Sequence, residues 1–343
     1  MRAMIIEKLG EIKTDSNPLN YKDIKIPVIG DKDLLIKVVT CGVCHTEIDE
    51  IEGRTPPLFL PIVPGHQIVG FVEDVGKDVS KFSLGDRVGI AWINSSCGDC
   101  KHCLSGLENL CESFKATGRD VNGGYAEYTV ISEDYAISIP NEIELDYAAP
   151  LLCAGAIGYR SLMLTNIQDN DDIGLMGFGA SAHLVLKLLK ILYPSSSVYV
   201  FARSRLQRDF AVELGAVWAG DIDSRSPVKL SSIIDTTPVW RPVVESLGNL
   251  ESGGRLVVNA IRKEELDKNY LLNIKYENHL WMEKEIKSVA NVSRNDVKEF
   301  LNISKDNITL MPEVKFYSLK DANLAIKDIK MGDTVGSKVI KID

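Results

Sequence analysis

Seven cysteines and five histidines are the residues of this chain best suited to bind a metal ion. Four of the cysteines follow a C-x2-C-x2-C-x7-C pattern, formed by Cys97, Cys100, Cys103 and Cys111. Thiolates at such short intervals can meet at one tetrahedral ion, and four of them leave no position for water or substrate. The pattern therefore predicts a structural zinc site in a lobe over 95–112. Disulfides and an iron–sulfur cluster are the alternatives, and the absence of a following Cys-Pro argues against the cluster.

A second group of metal-binding residue types lies in TCGVCHTE at 40–47, where two cysteines and a histidine fall within five residues. No further C-x-x-C adjoins them to complete a compact zinc finger. Other candidates, His66 in PGHQ and Cys153 in LLCAG, are far away in the sequence. Without further information, the favoured interpretation is that Cys44 and Cys153 are buried free thiols and that His66 is a structural histidine.

The segment IGLMGFGASA at 173–182 has the form of a phosphate-binding turn between a strand and a helix. Gly177 permits the tight turn, Gly179 lets the backbone approach a pyrophosphate, and the small Ala182 allows close helix–strand packing. The start of the helix at Ala180 and Ser181 offers N–H groups to an anion. The pattern G-x-G-x-x-A in this setting predicts a dinucleotide site.

The residues after the next strand indicate which dinucleotide is bound. An NAD site normally has an acid at the end of that strand, which holds the ribose 2′-hydroxyl. Here Ala202 is at that position and is followed by Arg203, Ser204 and Arg205. Guanidinium groups bind a 2′-phosphate, and no carboxylate repels it, so the sequence favours NADP. NAD remains possible, because the arginines could be only the polar start of a helix.

The composition excludes several classes of function. The chain has 343 residues and a net charge of −9, with no basic stripe, which argues against nucleic acid as a partner. The N-terminal residues lack the apolar stretch of a signal peptide, and no apolar segment is long enough to span a bilayer. We therefore expect a cytoplasmic protein without a membrane partner. The odd number of cysteines favours metal ligation or free thiols over disulfides.

The elements that must position these residues change in character along the chain. The first 150 residues hold short β-like runs separated by Gly and Pro, such as 34–39, 68–75 and 126–131, which predicts an irregular β-barrel. From about residue 155, strand and helix patterns alternate, which predicts a parallel sheet covered by helices. We predict an α/β protein with a catalytic domain at 1–154 and 291–343 and a cofactor domain at 155–290.

Together these features resemble the zinc-dependent alcohol dehydrogenases of the medium-chain dehydrogenase/reductase superfamily. The resemblance covers essentially the whole chain and is carried by GVCHTE, PGHQ, the four-cysteine lobe, LLCAG, GYRSL and GFGASA. It is greatest for the branch similar to cinnamyl alcohol dehydrogenases. It implies a GroES-like catalytic domain and a doubly wound Rossmann domain.

The resemblance also implies a catalytic zinc held by Cys44, His66 and Cys153, and therefore two zinc ions per chain. Three protein ligands leave one coordination position for the substrate oxygen. The implied reaction interconverts alcohols and aldehydes or ketones by hydride transfer to or from NADP(H), with zinc as the Lewis acid. Thr46 corresponds to the hydroxyl that begins a proton relay, and His45 to a contact with the cofactor pyrophosphate.

Three positions depart from the family pattern. Asp49 replaces a frequent histidine at the outer end of the relay, and it is expected to pass protons in a different pH range. Glu47 is one methylene longer than the usual aspartate, and Gln67 replaces an acid after the zinc histidine. Trp92 corresponds to a substrate-pocket position, although a core position is an equal alternative. Three residues correspond to the segment that meets the nicotinamide: Asn259, Ala260 and Ile261.

Two other functions stay open at this point. One is an NAD-dependent alcohol or polyol dehydrogenase. The other is a non-catalytic cofactor-binding protein on the same scaffold, which the presence of all three catalytic zinc ligands disfavours. The family also implies a homodimer or homotetramer acting on a small alcohol or aldehyde.

Overall fold

The structure is a computed structural model that describes residues 1–332 and 335–342. Residues 333, 334 and 343, which belong to the predicted catalytic domain, lie outside the described residues. The chain divides into two compact units: unit 1 is Met1–Ala156 with Asn291–Asp343, and unit 2 is Ile157–Ala290.

The regular elements are numbered in chain order. The strands are β1 (Arg2–Ile6), β2 (Leu19–Asp23), β3 (Asp33–Val43), β4 (Gln67–Val75), β5 (Arg87–Ile90), β6 (Ile93–Ser95), β7 (Lys115–Ala116), β8 (Tyr128–Ser132), β9 (Ile137–Ser138), β10 (Asp172–Met176), β11 (Ser197–Phe201), β12 (Trp218–Gly220), β13 (Leu230–Asp235), β14 (Leu250–Val258), β15 (Glu285–Ser288), β16 (Val314–Ser318) and β17 (Ser337–Lys341). The α-helices are α1 (His45–Ile51), α2 (Lys101–Leu104), α3 (Leu145–Ala148), α4 (Ala154–Thr165), α5 (Ala180–Leu192), α6 (Arg205–Glu213), α7 (Arg241–Asn249), α8 (Tyr276–His279), α9 (Arg294–Lys305) and α10 (Ala322–Met331).

Unit 1 is organised around a sheet with the order β16-β17-β3-β4-β5-β9, and β8 also pairs with β3. Alternate residues of β3, such as Leu34 and Ile36, are fully buried because successive side chains of a strand point to opposite faces. The last strand, β17, pairs antiparallel with β3, so the C-terminal segment belongs to the same sheet as the first part of the chain. The sequence analysis missed β16, which lies parallel to β17 at the edge of the sheet.

Unit 2 contains a parallel sheet with the order β12-β11-β10-β13-β14-β15. The predicted alternation of strands and helices is confirmed. After β10 the chain proceeds to β11 and β12 on one side, whereas β13, β14 and β15 lie on the other. In open parallel sheets a ligand binds at the carboxyl ends of the strands, where the order reverses. Here that point lies between β10 and β13.

In the part of the chain that the structure covers, no single helix is long and apolar enough to cross a bilayer. The segments Leu145–Leu152 and Ala154–Thr165 meet the criterion only as a pair, with a bend of 41° between them.

Candidate active site and metal centres

Cys44 is fixed at the start of α1 by a capping box. Its Sγ accepts a hydrogen bond from the backbone N–H of Thr46 at 3.3 Å, and its own N–H donates to Oε2 of Glu47 at 2.8 Å. The two bonds satisfy N–H groups that lack partners at a helix N-terminus. They also hold the sulfur at the end of the helix next to β3.

Three side chains from distant segments of unit 1 meet beside this cap. The Sγ of Cys44 lies 3.6 Å from Nε2 of His66, and the Sγ of Cys153 lies 3.3 Å from the same nitrogen. All three donor atoms lie within 4.8 Å of one another. Zinc bonds of about 2.3 Å to sulfur and about 2.0 Å to nitrogen place tetrahedral S and N ligands roughly 3.5 Å apart. The donor set therefore fits a zinc ion without rearrangement.

A buried carboxylate lies behind the histidine. Nδ1 of His66 is 2.6 Å from Oε1 of Glu47, and both side chains are almost fully buried. Burial disfavours the charged ring, but Glu47 and Cys44 outweigh it and raise the pKa of His66 well above its usual value. A carboxylate at Nδ1 fixes the tautomer of the ring and directs Nε2 towards a metal. The longer side chain of Glu47 thus reaches the ring that the usual aspartate would orient.

Two other predicted residues of unit 1 are placed as follows. Asp49 is buried, and its Oδ1 accepts a hydrogen bond from Nε of Arg54 at 2.5 Å. A proton-relay role for Asp49 stays a prediction, and this ion pair disfavours it. Trp92 is buried in the core, with the ring of Phe114 at a centroid distance of 5.0 Å and the Arg119 guanidinium 5.2 Å from its own ring. These contacts favour the core alternative for Trp92.

The four cysteines of the lobe converge on one point, as a shared tetrahedral ion requires. Cys97 Sγ lies 3.8 Å from Cys103 Sγ and 3.5 Å from Cys111 Sγ, and Cys100 Sγ is 3.6 Å from Cys103 Sγ. Zinc–sulfur bonds of about 2.3 Å imply S–S separations of roughly 3.8 Å in a tetrahedron. A hydrogen bond from Ser96 is the main cause that lowers the pKa of Cys103 to about 7, whereas a hydrogen bond with Asp99 raises the pKa of Cys97 to about 12.

An ion pair connects the lobe to the C-terminal part of unit 1, and the sequence analysis did not identify it. The carboxylate of Glu108 accepts hydrogen bonds from the backbone N–H of Arg294 at 2.8 Å and from its Nε at 2.9 Å. Arg294 also donates to the carbonyl of Asp134 at 2.8 Å. No local pattern reveals this contact, because its partners are far apart in sequence.

In unit 2 the glycine-rich turn has the geometry that the motif predicts. Gly177 has a φ of +85°, and an added Cβ would lie 2.8 Å from Oγ1 of Thr236, so a larger residue does not fit. An added Cβ at Gly179 would meet no atom within 4 Å, which leaves room for a ligand to approach the backbone. Helix α5 begins here without a side-chain cap, and its N–H groups are suited to a phosphate. Ala182 is fully buried against the sheet.

The turn after β11 presents the predicted positive charges. Arg203 is exposed and Arg205 is 87% exposed, so both can reach a ligand in solvent. Ser204 is the N-cap residue of α6. The sequence analysis missed Arg208, whose Nη1 donates to the carbonyls of Ala202 and Arg203 at 2.6 and 2.8 Å and so fixes the backbone of this turn.

A buried ion pair joins the loops that follow β13 and β14. Nζ of Lys263 lies 2.5 Å from Oδ2 of Asp235 and also donates to the carbonyls of Thr237 and Val239. The backbone N–H of Asn259 donates to the carbonyl of Asp235 at 2.7 Å. The segment Asn259, Ala260 and Ile261 is thus attached to the end of β13. The sequence analysis did not identify Lys263.

Comparisons with known proteins agree with this site. Residues 30–141 match the alcohol dehydrogenase GroES-like domain family. The chain is 36% identical over 349 residues to a protein of Mycobacterium tuberculosis named "Probable alcohol dehydrogenase AdhA", covering 100% of this chain and 97% of that protein. It is also 36% identical over 271 residues to cinnamyl alcohol dehydrogenase 7 of Arabidopsis thaliana, covering 74% and 75% of the two chains.

Solved structures show the same fold. A cinnamyl alcohol dehydrogenase of Sorghum bicolor superposes with a TM-score of 0.84 at 27% identity, covering 99% of this chain and 97% of the other. An enzyme of the same name from Helicobacter pylori, complexed with NADP(H), has a TM-score of 0.83 at 24% identity, with 99% of each chain covered. The chain therefore belongs to the zinc-dependent alcohol dehydrogenases of the medium-chain dehydrogenase/reductase superfamily and is an alcohol oxidoreductase.

Proposed function

We propose that this alcohol dehydrogenase uses NADP(H) and holds two zinc ions per chain, one at Cys44, His66 and Cys153 and one in the four-cysteine lobe. The observation that carries the proposal is the close approach of two thiols and one imidazole nitrogen within 4.8 Å, from three distant segments. Three protein donors leave a fourth tetrahedral position for the substrate oxygen.

The contacts of the side chains around this site indicate their roles in the reaction. When bound, zinc would supply Lewis-acid chemistry that lowers the pKa of an alcohol, and NADP(H) would supply the hydride chemistry. Glu47 holds His66 in the orientation that a metal ligand needs, and the Cys44 cap holds its sulfur at the end of α1. We assign Thr46 the role of a hydroxyl that hydrogen-bonds the substrate oxygen and passes its proton on.

The cofactor preference rests on unit 2. Exposed Arg203 and Arg205 offer guanidinium groups after β11, and Ala202 offers no carboxylate. Since a 2′-phosphate carries negative charge, these residues favour NADP over NAD. An NAD-dependent enzyme is the alternative, and it requires that neither arginine contributes to cofactor binding.

The substrates are proposed to be primary alcohols and the corresponding aldehydes, including aromatic ones. The support is the name of the relatives, since several are cinnamyl alcohol dehydrogenases. We also propose a homo-oligomer in the cytoplasm. Strand β15 lies at the edge of its sheet with all four residues exposed, and an unpaired strand edge can pair with another chain.

The experiment that tests this function is a turnover panel on purified protein. Short alcohols and aromatic aldehydes are assayed with NADPH, NADP, NADH and NAD, before and after treatment with a chelator, and zinc per chain is measured by mass spectrometry. We expect two zinc ions per chain, turnover with NADP(H) above that with NAD(H), and loss of turnover with loss of one zinc. Turnover that persists after removal of both ions contradicts the proposal.

A further inference from the structure

Helix α1 carries two glutamates that are both shielded from solvent. Glu47 and Glu50 are three residues apart, which places them on the same side of the helix, and both have 0% exposure. Glu47 lies against His66. Neither oxygen of Glu50 has a hydrogen-bond partner among the residues that the structure describes. A buried carboxylate is costly unless positive charge or donors compensate it.

The charged groups around Glu50 do not supply that compensation. Burial is the main cause that raises the pKa of Glu50 well above its usual value; Glu47 and Asp120 add repulsion, whereas His66 and Arg119 attract its charge. Arg119 is already engaged, because its Nε and Nη2 donate to the two oxygens of Asp120 at 2.9 and 2.6 Å. His66, the proposed metal ligand, is the other positive group that attracts the charge of Glu50.

Tyr125 is a neighbour that Glu50 shares with the residues around Cys44 and His66. This buried side chain lies against the backbone just before His66, since a Cβ added to Gly65 would lie 2.4 Å from its ring. Tyr125 interacts electrostatically with Cys44, Glu47 and Glu50 alike. Glu50 therefore shares with Cys44 and Glu47 one buried neighbour, Tyr125, which lies against the backbone just before His66.

We propose that Glu50 is a positioning residue for the metal, whose carboxylate supplies negative charge behind Cys44, His66 and Cys153 and so raises their affinity for a divalent cation. The inference rests on the proposed zinc site. The benefit is mutual, because a cation at the three ligands offsets a buried charge that no protein donor offsets. Mutation of groups that hydrogen-bond the metal ligands typically alters metal affinity by about 10–100-fold, and we expect an effect of that scale for Glu50.

The test measures zinc affinity directly rather than activity. Wild-type protein and the variants Glu50→Gln, Glu52→Gln and Cys153→Ser are dialysed against graded chelator, and zinc per chain is counted by mass spectrometry. Glu52→Gln is the matched control, because it removes the same charge from the residue after α1, where Glu52 pairs with Arg54 and Lys330. We expect Glu50→Gln to release one of two zinc ions at a chelator concentration about 10–100-fold lower than wild type. Glu52→Gln should release it at the same concentration as wild type.

A second variant separates charge from shape. In Glu50→Gln/Gln67→Glu, a carboxylate is restored beside the ligand His66, and we expect zinc affinity to recover. Unchanged affinity in Glu50→Gln, or no recovery in the double variant, overturns the proposal. If Cys153→Ser retains as much zinc as wild type, the proposed metal site fails and the inference with it, a result distinct from failure of Glu50 alone. Circular dichroism of each variant verifies that it is folded.

Discussion

The imidazole of His66 is held from behind by Glu47, with Nδ1 and Oε1 2.6 Å apart and neither side chain in contact with solvent. In Glu47→Gln the amide oxygen can still accept a hydrogen bond from Nδ1, but the negative charge that strengthens this bond is lost. We expect Glu47→Gln to lower zinc affinity or kcat/KM by about 10–100-fold. Glu47→Asp, which keeps the charge, should lose much less. Metal analysis and steady-state kinetics measure the two effects, and equal losses in both variants would contradict an electrostatic role.

The buried pair of Lys263 and Asp235 predicts a large effect on stability. Lys263→Met leaves the Asp235 carboxylate buried without its cation, so the free energy of unfolding should fall by about 3–5 kcal/mol. The exposed pair of Lys268 and Glu265, 2.8 Å apart, provides the control, and Lys268→Met should cost less than about 1 kcal/mol. Urea titrations of both variants measure the difference, and similar costs would refute the importance of burial.

Cofactor preference should depend on the turn after β11. In Ala202→Asp/Arg203→Ser, a carboxylate replaces the guanidinium near the expected 2′-phosphate, and charged hydrogen bonds are each worth about 1.5–3 kcal/mol. We expect kcat/KM for NADP to fall roughly tenfold or more while that for NAD rises. Lys229→Ser removes an exposed charge at the other end of the sheet, before β13, and should alter neither value. A parallel fall with both cofactors would count against the prediction.

The attachment of the lobe should weaken in acid. Burial opposes ionisation of Glu108, but its hydrogen bonds with Arg294 outweigh burial and lower its pKa below 4.5. Because the folded-state pKa is the lower one, this stabilisation is complete above pH 4.5 and is lost as the pH falls through the folded-state pKa. The difference in unfolding free energy between wild type and Glu108→Gln should therefore be largest near neutral pH and shrink below pH 4.5. Urea titrations over this pH range measure it.

A control addresses the other acid-sensitive groups of the lobe. Glu112 is exposed in the same lobe, so Glu112→Gln should differ little from wild type at any pH. If the effect of Glu108→Gln were the same at acid and neutral pH, its cause would be packing rather than ionisation.

Local patterns in the sequence were sufficient for the elements that carry the fold. The run around Leu34 predicted β3, and the glycine turn at Gly177 predicted the junction of β10 and α5, because period and turn chemistry act over a few residues. The family resemblance added what spacing could not, namely that Cys44, His66 and Cys153 act together. Spacing alone also left the role of Trp92 open, since tryptophan is found both in hydrophobic cores and in the walls of substrate pockets.

Most of the contacts that escaped prediction join residues that are distant in sequence, although Arg208 meets Ala202 and Arg203 within six residues. The ion pair of Lys263 and Asp235 forms because the segments after β13 and β14 lie side by side at the end of a parallel sheet. The ion pair of Arg294 and Glu108 joins residues that lie far apart in the sequence of unit 1. Glu50 resembles any surface glutamate of a helix until the structure shows its 0% exposure. Such contacts depend on tertiary packing, which the sequence patterns used here do not encode.

The pairing of β17 with β3 also bears on biosynthesis. Lys338 lies opposite Val43, the residue just before Cys44. The strand that leads to this proposed zinc ligand therefore pairs with a strand that is synthesised nearly three hundred residues later. A ribosome must therefore deliver the whole of unit 2 before this edge of β3 is covered. Until then the nascent first segment exposes backbone groups and cysteine thiols together, and chaperones or thiol-reducing conditions would protect it during that interval.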